Sequence, residues 1–496
     1  MSAATLFEAL ARRAPIDPVL VADDRTWNAP DVIAAAESLA PVLRDSRVVA
    51  VLADNGPAWA LADLGALASG HVHLPLPSFF SASQLVHALT VAGADSLLTD
   101  QPLRVDELAL GFCAEGTWNG LTLMRRKAER VGLPAATAKI SFTSGSTGNP
   151  KGVCLSAEGL LDTATAVVER LADLPIAHHL AVLPLGLLLE NVAGLHVPLL
   201  RGAAVHLPSL QALGWRGMAG FDPAALHARA GASQAHSLIL VPELLKAWVA
   251  YLNATGQRAP GALTYVAVGG ARVDAGLLAR ARALGIPAYQ GYGLTECGSV
   301  VCVNRPDDES DGVGRPLAHA AVKVIEGEVR IGTRAFLGYL GDNPAAKATH
   351  GGEGFPTGDL GRLDADGHLH LSGRRSNLII TAYGRNISPE WVESALLARA
   401  AIAQVVVAGD ARADLCAVVV AAPGADGEAV AAAVERANAT LPDYARIRRW
   451  ISVAPFSVRN GQATGNGRAI RAAILKHHAA AITALYPEEE SERVVL

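Results

Sequence analysis

Thirteen residues, Ser141-Phe-Thr-Ser-Gly-Ser-Thr-Gly-Asn-Pro-Lys-Gly-Val153, place five hydroxyls, three glycines and one lysine on a single short segment. Glycines let backbone N–H groups converge on anionic oxygens, hydroxyls add donors and Lys151 supplies charge, so the segment could wrap a polyphosphate. It is not a Walker loop, because Lys151 is preceded by Pro150 and followed by Gly152. By composition alone a solvent-exposed Ser/Gly turn remains open.

Four more places could do chemistry beside it. In Tyr292-Gly-Leu-Thr-Glu296 the Thr295 hydroxyl can donate to a phosphate while Glu296 holds Mg²⁺, which neutralises charge developing on phosphoryl oxygens. The same dipeptide would also suit a helix N-cap. Asp359, in Thr357-Gly-Asp359, offers a bidentate acceptor that suits a diol, or an Asp turn before Gly361. Arg374 and Arg468 are cations that each follow a glycine late in the chain, in Gly373-Arg374 and Thr464-Gly-Asn-Gly-Arg468.

Taken in order, these segments and Gly269-Gly-Ala271, Tyr289 to Glu296 and Tyr383-Gly-Arg-Asn-Ile-Ser-Pro-Glu390 resemble the motifs of the adenylate-forming superfamily, which contains acyl-CoA synthetases, peptide-synthetase adenylation domains and luciferases. The resemblance spans most of the chain and is nearest to the fatty acyl-CoA synthetases. It implies ATP and Mg²⁺ as reactants and an acyl-adenylate intermediate. Coenzyme A or the phosphopantetheine thiol of an acyl carrier protein would be the acceptor. It implies nucleotide contacts from Thr143, Ser144, Gly145, Ser146, Thr147, Gly148, Lys151, Gly270, Ala271, Gly291, Tyr292, Gly293, Thr295, Asp359 and Arg374. Tyr292 would lie against the adenine and Asp359 on the ribose hydroxyls. Tyr383 and Gly384 would form the loop for the thiol step.

Two departures from the family pattern carry information. Arg468 stands where a lysine is expected to bridge carboxylate and α-phosphate, and a planar, forked guanidinium is not a compact ammonium. A working substitute, a slow first step or a nucleotide- or acyl-binding protein without adenylation would each follow; the intact companion motifs favour substitution. Ser376 stands at the hinge, where a charged residue is usual.

For the acid, Leu183-Pro-Leu-Gly-Leu-Leu-Leu-Glu190 resembles a pocket-lining stretch with Leu187 in place of a ring and Leu185 in place of an amine-pairing aspartate. An ammonium buried against leucines would be penalised, so an apolar fatty or aryl carboxylic acid is expected. Leu187, Leu188, Glu190, Gly269 and Gly293 are the expected pocket residues. An amide-forming ligase is the remaining variation.

These residues need a scaffold, and 496 residues exceed one ordinary core. Apolar runs such as Val48 to Leu52, His179 to Leu183 and Ser237 to Leu240 alternate with helical stretches at Pro30 to Leu43, Ala157 to Leu171 and Glu243 to Leu252. This rhythm predicts an α/β fold with a large, multi-sheet N-terminal domain over residues 1–373. A small mobile α+β domain over 374–496 follows, with strands at Gln404 to Ala408 and Cys416 to Ala421.

Hydrophobic residues make up 51%, charged residues 18%, and the net charge is -5, as in a well-packed globule. The densest basic runs, Arg125-Arg126-Lys127 and Arg446 to Arg449, lack interleaved aromatics, so nucleic acid is not an expected partner. His179 to Leu200 is long enough to span a bilayer, but Pro184, Glu190 and Asn191 favour a buried element, and no transmembrane segment is expected. Five cysteines without a Cys-x-x-Cys pair suit a reducing cytoplasm. The first residues lack the pattern of a signal peptide.

Overall fold

The computed structural model describes residues 3–143, 151–216, 220–308, 310–342, 353–464 and 468–486. Ser144, Gly145, Ser146, Thr147 and Gly148 lie outside the described residues.

Short, wholly buried β-branched and leucine runs form the strands of two large sheets. Val48–Leu52 is buried at every position and sits inside an eight-stranded sheet, flanked by Val72–Pro75 and Ser96–Thr99 in parallel. The same sheet carries the antiparallel pair Thr137–Thr143 and Lys151–Ser156, whose last register pair is Thr143 with Lys151. That pairing pins both ends of the Ser/Gly segment. A nine-stranded sheet runs His178–Leu180, Ser237–Leu240, Tyr265–Val268 and Ala288–Tyr292 side by side in parallel. Parallel strands buried on both faces read as continuous apolar runs, which is why the sequence shows them well.

Helix starts follow local chemistry. Asn28 and Asp31 make a reciprocal capping box ahead of Ala29–Val42, with Pro30 in the first turn. Ser156 accepts from Gly159 N at 3.1 Å to open Ala157–Arg170 directly after its strand. Trp59 and Trp248 are fully buried in the two largest apolar clusters.

The expected strand at His179 to Leu183 is shorter, His178–Leu180. The following residues turn through Pro184 into a π-helix, Glu190–His196, that continues as the α-helix Val197–Arg201. Gly194 permits this: a Cβ there would lie 2.2 Å from Glu190 Oε1. The segment is thus a broken, buried element, and among the described residues no helix is long and apolar enough to cross a membrane.

An antiparallel four-stranded sheet of Ala321–Ile325, Glu328–Gly332, Phe355–Leu363 and Leu369–Arg374 leads to the junction. Arg375–Asn377 forms one 3₁₀ turn there. Each apolar cluster among the described residues draws either on residues up to Leu371 or on residues from Ile379 onward. The later part packs helices Pro389–Leu397 and Gly427–Asn438 against strands Ile402–Ala408, Leu415–Ala421 and Ile447–Ser452. The fold is therefore α/β with a large first part and a small second one.

Candidate active site

The ends of the nine-stranded sheet's strands and the C-terminal part enclose one cleft of about 2380 Å³. Thr143, Lys151, Gly269, Gly270, Ala271, Gly291, Tyr292, Gly293, Thr295, Glu296, Asp359, Arg374 and Arg468 all line it. Residues scattered over more than three hundred positions of sequence thus meet at one place, at the carboxyl ends of parallel strands, where open α/β sheets place ligands.

Asp359 is buried in mid-strand and held from two sides. The Tyr292 hydroxyl donates to its Oδ2 at 2.6 Å and Arg374 Nε to its Oδ1 at 2.9 Å. Burial and the adjacent carboxylate push the Tyr292 phenol well above its ordinary value, so it stays a donor. The alternative of a turn-forming aspartate is excluded, because Asp359 lies within the strand Phe355–Leu363.

Glu296 accepts from the Tyr339 hydroxyl at 2.9 Å, and Lys151 Nζ stands 5.5 Å above the same ring. The end of the Ser/Gly segment and the acidic residue are therefore tied through one tyrosine that sequence reasoning missed. Thr295–Cys297 is a single 3₁₀ turn without a side-chain cap, so Thr295 is not consumed as an N-cap. One carboxylate fits Mg²⁺ that is held mainly by phosphate oxygens. Gly293 is required by contact: a Cβ there would fall 1.6 Å from the Ser299 carbonyl oxygen.

Arg468 reaches across from the C-terminal part and donates to the Gly270 carbonyl at 2.5 Å. Although this side chain meets solvent, the cleft walls strip water from the guanidinium. That desolvation, and then the like charge of Arg374, lower its pKa, while Glu243 opposes them. Two further cations hold the same contact, Lys246 Nζ to the Ile402 carbonyl at 2.6 Å and Arg280 to the Ala398 carbonyl at 3.1 Å. Tyr383 is 73% exposed, and neither it nor Gly384 lines the cleft in this arrangement.

Leu187, Leu188, Gly269 and Gly293 line the apolar arm of the cleft. Glu190 does not, and the expectation for it is corrected. It is fully buried behind the wall, where it accepts from Leu183 N at 3.2 Å and faces His179 Nε2 at 3.4 Å. Burial raises its pKa and His179 opposes the rise.

A cleft that gathers a doubly held carboxylate, an acidic residue beside a Thr hydroxyl and a cation from the C-terminal part fits a nucleotide-dependent, acid-activating class of enzyme. The chain belongs to the AMP-binding enzyme family: residues 7–334 match the AMP-binding enzyme model, and 376–490 match that of the AMP-binding enzyme C-terminal domain. It is 27% identical over 432 residues to the 2-succinylbenzoate–CoA ligase of Bacillus subtilis, covering 81% of this chain and 84% of that one. With the long-chain-fatty-acid–CoA ligase FadD15 of Mycobacterium tuberculosis it shares 30% identity over 249 residues, 45% of this chain and 42% of that one. The crystal structure of the anthranilate CoA ligase AuaEII with anthranoyl-AMP has the same fold, with a TM-score of 0.80 at 19% identity and 98% of both chains covered.

Proposed function

We propose that this chain is an AMP-forming acid–thiol ligase acting on a fatty or aryl carboxylic acid. A carboxylate oxygen attacks the α-phosphorus of ATP, an O–P bond forms, the α–β bridging bond breaks and pyrophosphate leaves. A thiolate then attacks the acyl carbonyl and AMP leaves. The thiol is that of coenzyme A or of a carrier protein's phosphopantetheine. The observation that carries this reading is the Arg468 to Gly270 contact, which brings a cation from the second domain to the rim of the nucleotide cleft.

In this reading Asp359 accepts the ribose hydroxyls, Thr295 donates to the α-phosphate, and Lys151 and the Ser144 to Gly148 segment hold the other phosphates. Glu296 would hold Mg²⁺, which neutralises phosphoryl charge when bound. Arg468 stabilises the charge that develops as the acid attacks. The leucines of the apolar arm receive the acyl body. The thiol step uses the Tyr383-Gly384 loop, which must replace Arg468 by rotation about Gly373 to Ser376. A cytoplasmic location suits five free cysteines, four of them buried.

Pyrophosphate release from a panel of fatty and aryl acids, with and without coenzyme A, tests the reading. Acid-dependent release with a thioester product supports it. Acid-dependent release that yields amides with added amines, and no thioester, overturns the acceptor assignment.

A further inference from the structure

The apolar arm has a polar end that the reaction does not use. Along the face of the nine-stranded sheet, Ser237 and Tyr265 are register partners, and Gly269 lies four residues further on. Four residues of strand span about 13 Å. The nucleotide rim is at Gly269, so the Ser237 end is about that far from the reacting carboxylate. Both Ser237 and His179 line the cleft there, 6% and 3% exposed among leucine and valine side chains.

Their geometry is that of a relay. Ser237 Oγ lies 2.9 Å from His179 Nδ1, His179 Nε2 lies 3.4 Å from Glu190 Oε1, and Leu183 N fixes the other Glu190 oxygen at 3.2 Å. A serine hydroxyl has one donor and two acceptor sites, and the imidazole occupies one of these. The remaining capacity of a buried hydroxyl favours a partner, since apolar contact alone leaves it costly. Arg201, which also lines this end, turns its guanidinium to the carbonyls of Leu171, Ala172, Leu174 and Ile176. A second carboxylate there would meet Glu190 behind the imidazole and, among the described residues at this end, only the already engaged Arg201 as a cation, so the fitting group is neutral oxygen.

Resting on the ligase reading above, we propose that Ser237, backed by His179 and Glu190, is a subsite for a hydroxyl or oxo group at the far end of the acyl chain. The acid is then an elongated apolar monocarboxylate with a neutral oxygen about 13 Å from its carboxyl group. The leucine walls accept the body and the serine selects the end.

The test compares pyrophosphate release with ω-hydroxydecanoate and with decanoate, in wild type and in Ser237→Ala, with melting curves as the check on folding. The wild type prefers the hydroxy acid in kcat/KM by about tenfold, the value of one buried neutral hydrogen bond. Ser237→Ala removes the preference by losing rate on the hydroxy acid while decanoate holds or improves. Equal wild-type rates, a preference for decanoate, or an unchanged ratio in the variant overturns the subsite. If no acid at all releases pyrophosphate, the ligase reading fails instead. Calorimetric binding of the same two acids then decides the subsite by the same ratio.

Discussion

Arg468 donates to the carbonyl of Gly270 at 2.5 Å, across the boundary between the two parts of the molecule. A guanidinium has five donors in a fixed fork, so this bond leaves further donors on a side chain that lines the cleft. Replacing Arg468 with Ala is expected to lower acyl-adenylate formation by about a hundredfold or more, the range for removing one charge-stabilising donor. Thioester formation from preformed acyl-adenylate should change little. Arg468→Lys should also be slower than wild type, because a shorter-reaching point charge cannot make both contacts. A lysine variant faster than wild type in pyrophosphate exchange contradicts this account.

Asp359 is held in place by Tyr292 and Arg374. Asp359→Asn keeps the size but loses the second charged acceptor, so nucleotide affinity should fall by roughly ten- to a hundredfold, or about 1.5–3 kcal/mol. Tyr292→Phe should cost less, about 1 kcal/mol, because Arg374 still holds the carboxylate. Calorimetry with AMP distinguishes the two, and equal affinities in all three proteins would exclude Asp359 from the nucleotide site.

Much of this arrangement was legible in the chain itself. Parallel strands buried on both faces, such as Val48–Leu52 and Ser237–Leu240, announce themselves as continuous apolar runs. Glycine-rich segments at 269–271 and 291–293 mark backbone that lines the cleft. What stayed hidden depends on tertiary partners. Nothing local distinguishes Tyr339, whose hydroxyl reaches Glu296 from another strand. Glu190 read as a pocket residue because it closes a stretch that resembles a pocket-lining motif, but the π-helix turns its carboxylate behind the wall toward His179. The buried cluster of Asp63 with Lys139, His73 and His196, at 2.6, 2.7 and 2.7 Å, joins four separate elements and has no motif.

The domain contact has two more cations. Lys246 and Arg280 donate to the carbonyls of Ile402 and Ala398, next to the C-terminus of the helix Pro389–Leu397, where cations are favoured by the dipole. The double variant Lys246→Ala, Arg280→Ala should loosen this arrangement and lower adenylation by about tenfold. The second half-reaction should be unchanged or faster. If both half-reactions fall equally, these residues do not select between the two arrangements.

His206 predicts an acid sensitivity. Burial, with charge on His178 and His179 adding to it, pushes the His206 imidazole down to about 4. Its folded value lies below its unfolded one of about 6.5, so the unfolded chain binds the proton more tightly. The contribution to stability is present above about pH 6.5 and is lost as pH falls toward 4. Discounted for the solvent that reaches this ring, it amounts to roughly 1 kcal/mol. Urea midpoints at pH 7 and pH 5 should differ more for wild type than for His206→Asn, and equal differences would remove the assignment.

In this cleft a carboxylic acid should become an acyl-adenylate. The direct measurement incubates the protein with ATP, Mg²⁺ and each acid of a fatty and aryl panel, without any thiol, and traps the product with hydroxylamine. At least one acid should give its hydroxamate together with equal AMP and pyrophosphate, and Arg468→Ala should give almost none. ATP that binds but yields no hydroxamate with any acid, or ADP and phosphate in place of AMP and pyrophosphate, would contradict it.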